Sequence, residues 1–172
     1  GTDLVGLRYA QLMPWVKPCE LVDGNVVEKS TEAFRVIPGD YVTTEDGTGI
    51  VHIAPTFGAD DAKVAKDAGI PSLFIIDKAG DTRPMVDFTG KYFLPEDMNP
   101  DFYEMCVIKD AYARHQGQFV KNAYDPKYNV NGKYDEKAAS KDMDLNVILC
   151  IEMKEEGTAF RIEKHVHNYP HC

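Results

Sequence analysis

The chain has no apolar run approaching the ~20 residues that a membrane-spanning helix requires, so no membrane segment is expected. It has no C-x-x-C pair. Its four cysteines, Cys19, Cys106, Cys150 and Cys172, are scattered, which argues for reduced thiols over a disulfide scaffold or a structural metal site. Basic residues are in short supply: 19 Lys and Arg face 28 Asp and Glu, for a formal charge of −9. That balance argues against a broad basic face that grips nucleic acid, while leaving room for a local positive groove. No internal repeat or low-complexity tract appears. The first ten residues, GTDLVGLRYA, lack the basic and apolar regions of a signal peptide, and the expected compartment is the cytoplasm.

What is present is ordinary for a globular protein. The chain has 172 residues, 44% of them hydrophobic and 27% charged, enough for one domain with a real core. Short β-rich runs dominate the front. Val26-Val27, Phe34–Ile37 and Tyr41–Thr43 are punctuated by turn signals, Asp23-Gly24 ahead of the first run and Pro38-Gly39 between the last two. Gly49–Ala54 reads as an inner strand, apolar on both faces, and Ser72–Ile76 as another buried strand. Between them, Ala62–Ala68 is framed as a short helix by acids at its start and Gly69 at its end. Asp77–Pro84 reads as a polar loop. Pro100 is expected to open a helix running to about Gln116, and Leu145–Glu156 a second long one. The polar segment Tyr124–Lys141 is expected to be an exposed loop or insertion. Ala159–His165 alternates like a closing strand. In the tail, His165, His167, His171 and Cys172 lie close together, but no second cluster completes a metal site, and an ordinary strand is the better reading. The expected class is mixed α/β, strand-rich, in a single domain.

One stretch carries chemistry: Gly47-Thr48-Gly49-Ile50-Val51-His52-Ile53-Ala54-Pro55-Thr56-Phe57-Gly58-Ala59-Asp60-Asp61. It reads as strand, tight turn, helix. The turn would bring His52, Phe57 and the first acids of the helix towards one place. Gly58 permits either close backbone approach or positive φ, and Pro55 fixes the exit from the strand. The helix N-terminus favours an ionised carboxylate in its first turn, and such a carboxylate beside an aromatic wall suits a small ammonium group. Each residue also has a plainer reading. Asp60 and Asp61 serve equally as first-turn acids, His52 as a hydrogen-bonded core residue, and Phe57 as core. The G-T-G matches no phosphate loop.

The same stretch closely resembles the signature of the editing domain (connective peptide 1) inserted in isoleucyl-tRNA synthetases, G-T-G-x-V-H-x-A-P-x-x-G-x-x-D. Every fixed position is met between Gly47 and Asp61. Related valyl enzymes carry a lysine where His52 stands. Gly6-Leu7-Arg8-Tyr9 looks like the family's E-G-L-x-Y element, Val86–Tyr92 like its D-F-x-G-K-Y element, and H-x-Y-P-H-C like the point where the insertion rejoins the catalytic core. The resemblance implies a β-barrel-like editing domain with peripheral helices, present here as a fragment of a longer synthetase. Its implied activity is hydrolysis of valine wrongly esterified to tRNA(Ile). A missing methylene is worth only about 1–3 kcal/mol of discrimination, a magnitude for which isoleucine against valine in this synthetase is the stock illustration.

By the same resemblance, Asp61 would anchor the substrate ammonium and His52 would limit side-chain bulk. Phe57, Gly58 and Thr48 would complete the substrate wall. Asp60 is the lesser candidate, because the motif aspartate falls on Asp61. Implied partners are the valine-bearing 3′ end of tRNA(Ile) and the rest of the synthetase chain, with the fragment itself monomeric. No metal or cofactor is implied in this fragment; ATP and Mg belong to the full-length enzyme's core, whose H-I-G-H and K-M-S-K-S signatures are missing here. The family's threonine-rich peptide, T-T-x-P-W-T-L-P, is also missing, so the fragment alone is expected to be weakly active or inactive. Two other readings stay open: a non-catalytic amino-acid or tRNA-end binding module, and an unrelated α/β ligand-binding domain.

Overall fold

The computed structural model describes residues 2–45 and 48–163. The described chain forms two compact units, Gly1–Gly117 and Gln118–Cys172. Gly47 of the signature and the histidine-rich tail from position 164 onward lie outside the described residues.

In the first unit, β1 (Cys19–Val22) and β2 (Asn25–Glu28) pair antiparallel, with Cys19 opposite Glu28 and Val22 opposite Asn25. The two-residue turn between them holds Asp23 at φ 50° and Gly24 at φ 80°. Both left-handed positions match the twist of a tight hairpin, which is why Asp-Gly closes it. After α1 (Ala59–Asp67), a second hairpin joins β3 (Ile75–Ile76) to β4 (Thr82–Arg83). Asp77 staples its loop. Its Oδ1 accepts the Ala79 and Asp81 N–H groups, both at 2.9 Å, and its Oδ2 accepts Arg83 Nε at 2.9 Å.

Two short helices, α2 (Pro100–Cys106) and α3 (Lys109–Tyr112), stand where one long helix was expected. Asn99 caps α2 by accepting the Phe102 N–H at 3.0 Å, and Pro100 sits where its missing N–H costs nothing. The helix stops because Val107 is drawn into an antiparallel bridge with Val16, flanked by Lys17 N–H to Cys106 O and Ile108 N–H to Trp15 O. The core of this unit gathers here: Val16, Cys19, Ile75, Ile76, Phe102, Cys106 and Tyr112 are all buried. Trp15 packs edge-on against Tyr92 with ring centroids 5.6 Å apart.

The second unit corrects the expectation of a bare loop over Tyr124–Lys141. A 3-10 turn at Pro126–Tyr128 leads into the hairpin β5 (Asn129–Val130) and β6 (Lys133–Tyr134), then α4 (Glu136–Ala139). Asn131 at φ 53° and Gly132 at φ 74° form its turn. Most of the segment is exposed, as expected, but Tyr128 and Ala139 are buried. The long helix α5 (Leu145–Glu155) follows, with Asp144 accepting the Asn146 N–H and Gly157 at φ 71° beyond its end.

Strand pairing is thinner than the sequence suggests. Among the described residues the sheets are three separate two-stranded hairpins, and none closes into a barrel. The expected strand over Gly49–Ala54 is absent. Gly49 lies at φ 73°, the Ile50 N–H turns to Thr48 Oγ1, and Pro55 has no N–H to give, so no ladder propagates. Ile50 and Val51 are exposed instead of covered. Among the described residues, the strand-like pairing of Phe34–Ile37 is limited to the Arg8–Arg35 bridge and its neighbouring bonds, with Phe34 itself at φ 52°. Tyr41–Thr43 is a turn and coil, with the Val42 N–H bonded back to Gly39 O. Positions 159–163, the described part of the expected closing strand, are not extended into a sheet either.

Arg83 and the loop N–H groups hold the Asp77 carboxyl below its ordinary range. A depressed native pKa means that the ionised group stabilises the fold above the ordinary aspartate range, and that this contribution is lost as acid drives the pH down through the native value. Asp77→Asn should therefore flatten the acid limb of the unfolding curve while leaving the slope near neutrality unchanged. Circular dichroism against pH reads this, and superimposable acid limbs would contradict it.

Candidate functional site

The segment from His52 to Asp61 is organised by its last residue. Asp61 lies in the first turn of α1, and its Oδ2 accepts the Ala54 N–H at 2.9 Å across seven residues of chain. The loop between them doubles back on itself, with the Phe57 and Gly58 N–H groups both reaching Ala54 O at 3.0 Å. Thr56 Oγ1 donates to Leu73 O at 2.5 Å, fixing the loop to the chain ahead of β3.

Gly58 is required here for space. Its φ is −104°, so the positive-φ alternative does not apply. A Cβ at this position would lie 2.9 Å from Asp61 Oδ2 and 3.0 Å from Asp61 Cγ. The absent side chain is what lets the carboxylate fold back over the turn.

Beside this turn is an open hollow of about 390 Å³ lined by Tyr41, Asp60, Asp61, Lys63, Val64 and Asp67. Three carboxylates against one ammonium give the rim a negative balance, favourable to a small cation and unfavourable to a phosphate. Of the five residues singled out from the sequence, only Asp61 lines it. Gly58 shapes the turn behind. His52, Phe57 and Thr48 are not among the lining residues. His52 is exposed, so it is not a core histidine, and Phe57 is 74% exposed, so it is not core either. Thr48 is exposed and turned to its own backbone, with Oγ1 3.3 Å from both Ile50 N and Ile50 O. Asp60, the lesser candidate, does line the hollow.

Val64 and Asp67 were missed, although their spacing from Asp60 puts all three on one face of α1. Tyr41 comes from a distant turn and carries no local signal. Among the described residues, no three His, Cys, Asp or Glu side chains gather as a metal-binding group, and no helix is long and apolar enough to cross a membrane.

Comparison with known proteins gives this geometry its setting. No family model matches the chain, and no solved structure matches it significantly. Curated sequences do. The chain is 60% identical over all 172 of its residues to a protein of Bacteroides thetaiotaomicron, covering 15% of that relative. It is 51% identical over its full length to one of Porphyromonas gingivalis, covering 13%, and 42% identical to one of Cytophaga hutchinsonii, again covering 13%. The relatives are aminoacyl-tRNA synthetases. Each is an isoleucine–tRNA ligase, and the whole of this chain is homologous to one region of that family, consistent with a fragment of such an enzyme. The chain spans only about a seventh of the length of its first relatives.

The carboxylate, the Ala54 amide and Gly58 form one structural unit. Gly58→Ala and Asp61→Ala should each destabilise the chain by about 1–3 kcal/mol, the first by crowding and the second by stranding a partly buried N–H. Because both act on the same hydrogen bond, the double variant should lose clearly less than the two losses combined. Urea unfolding of the four proteins reads this, and strict additivity would contradict it.

Proposed function

We propose that this segment is the post-transfer editing site of an isoleucine–tRNA ligase, hydrolysing valine wrongly esterified to tRNA(Ile). The observation that carries the reading is the placement of Asp61: a first-turn carboxylate, fixed through one oxygen by the Ala54 N–H, on the rim of an acidic hollow. A carboxylate fixed in this way has little orientational freedom left to lose on binding an ammonium group, and a charge-assisted hydrogen bond to it is about twice as strong as a neutral one. The homology to isoleucine–tRNA ligases, in which valine is the near-cognate competitor, supports the choice of substrate.

In this reading Asp61 holds the α-ammonium of the valyl ester. His52, exposed and able to meet a substrate, limits the bulk of its side chain, while Phe57 and Thr48 flank the ester. The chemistry is water adding to the ester carbonyl, with the carbon–oxygen bond to the ribose breaking and the ribose oxygen taking up a proton. Positioning of the water and stabilisation of the developing oxyanion supply the rate, not a strong nucleophile. A terminal ribose hydroxyl helps place that water. ATP and magnesium serve aminoacylation in the longer chain, not this step. The protein works in the cytoplasm, with the tRNA body held by the rest of the synthetase.

One observation favours a second reading, a non-catalytic amino-acid or tRNA-end binding module: Asp61 alone of the five residues lines the hollow. Asp61→Asn separates the two, because the amide oxygen can still accept from Ala54 N–H while the charge is gone. In a full-length ligase carrying this segment, the substitution should slow deacylation of valyl-tRNA(Ile) roughly 10–100-fold, the worth of one hydrogen bond to a charged group, with isoleucine activation unchanged. Equal deacylation rates for the two proteins would refute the editing role of Asp61. The isolated 172-residue chain should show weak turnover or none.

A further inference from the structure

Away from the proposed site, Cys19 at the start of β1 and Cys106 at the end of α2 are both fully buried, at 0% exposure, and both are free thiols. Each thiol perturbs the titration of the other, as near neighbours do. The backbone around them is tightly registered by the Val16–Val107 bridge and by Lys17 N–H to Cys106 O at 2.7 Å. Two thiols 87 positions apart in the sequence are thereby placed side by side by the fold. We propose that Cys19 and Cys106 are a redox-modification site that a hydroperoxide converts to an intramolecular disulfide tying β1 to α2.

The contact makes the two sulfurs unequal. Hydrogen bonding from Cys19, with Lys17 nearby, lowers the Cys106 pKa, whereas the same bond and burial raise that of Cys19. Cys106, paired in the backbone ladder with the cationic Lys17, is assigned as the attacking sulfur and Cys19 as the resolving thiol. In the first step the Cys106 sulfur attacks one peroxide oxygen, the oxygen–oxygen bond breaks, and a sulfenic acid forms with release of water. In the second, the Cys19 sulfur attacks the Cys106 sulfur, the sulfur–oxygen bond breaks, and a second water leaves with the Cys19 proton. The two thiols lose two electrons and two protons in total, and one hydrogen peroxide becomes two waters. Because both sulfurs are buried, the peroxide enters through local opening. Cys150, exposed on α5, is a built-in reference for unassisted thiol oxidation.

Mapping disulfides in the intact ligase chain containing this segment, after native treatment with hydrogen peroxide and alkylation under denaturing conditions, tests this. The expected product is a Cys19–Cys106 cross-linked peptide that reverts with dithiothreitol and accounts for most of the alkylation lost at both positions. In Cys19→Ser, Cys106 should instead accumulate as sulfenic acid trapped by dimedone. Full alkylation of Cys19 and Cys106 when Cys150 is already oxidised would overturn the proposal. So would pairing of either with Cys150 at comparable yield.

Discussion

The hydrogen bond from the Ala54 amide to Asp61 ties the loop after His52 to the first turn of α1. The rest of the candidate site depends on it. The bond exists because Gly58 leaves room for the carboxylate, because Pro55 ends any extended run, and because α1 begins at Ala59 and so carries Asp61 in its first turn. One carboxylate thus has two faces. One oxygen accepts from the backbone, and the residue also lines an open hollow together with Asp60 and Asp67.

An acidic hollow of this kind sorts ligands by charge before it sorts them by size. A free amine is attracted and a phosphate is repelled, so under the proposed function the polyanionic body of the tRNA is held elsewhere. This agrees with the overall charge of −9 and with a chain that covers only about 15% of its synthetase relatives. Discrimination by size is a separate task, assigned in the proposed function to His52. Its exposure leaves the imidazole open to a substrate without fixing it there.

Local chemistry was legible where one residue decides the outcome. Asp23-Gly24 announced a turn, which the structure shows to be a hairpin turn with both positions in left-handed backbone, and Gly69 and Gly157 announced helix ends. Asn131-Gly132 carried the same hairpin signal as Asp23-Gly24, but the polar composition around it masked the short strands on either side. The break between α2 and α3 was not legible, because Val107 leaves the helix to pair with Val16, far away in the chain. The strand expected at Gly49–Ala54 failed for the opposite reason. Its apolar alternation was real, but strands need partners, and its amides found Thr48 and Asp61 instead. At the site, Asp61 was singled out by the resemblance to the editing signature and Gly58 by its place in the turn, Val64 and Asp67 were open to helical periodicity, and Tyr41 depended on tertiary structure.

The most direct measurement is a structure of a full-length ligase containing this segment with a non-hydrolysable valyl-adenosine bound. The expected complex has the valine ammonium within hydrogen-bonding distance of Asp61, whose other oxygen still accepts from the Ala54 amide. An ammonium bound by other groups, with Asp61 facing only its own backbone, would contradict that placement and leave the carboxylate a purely structural clamp.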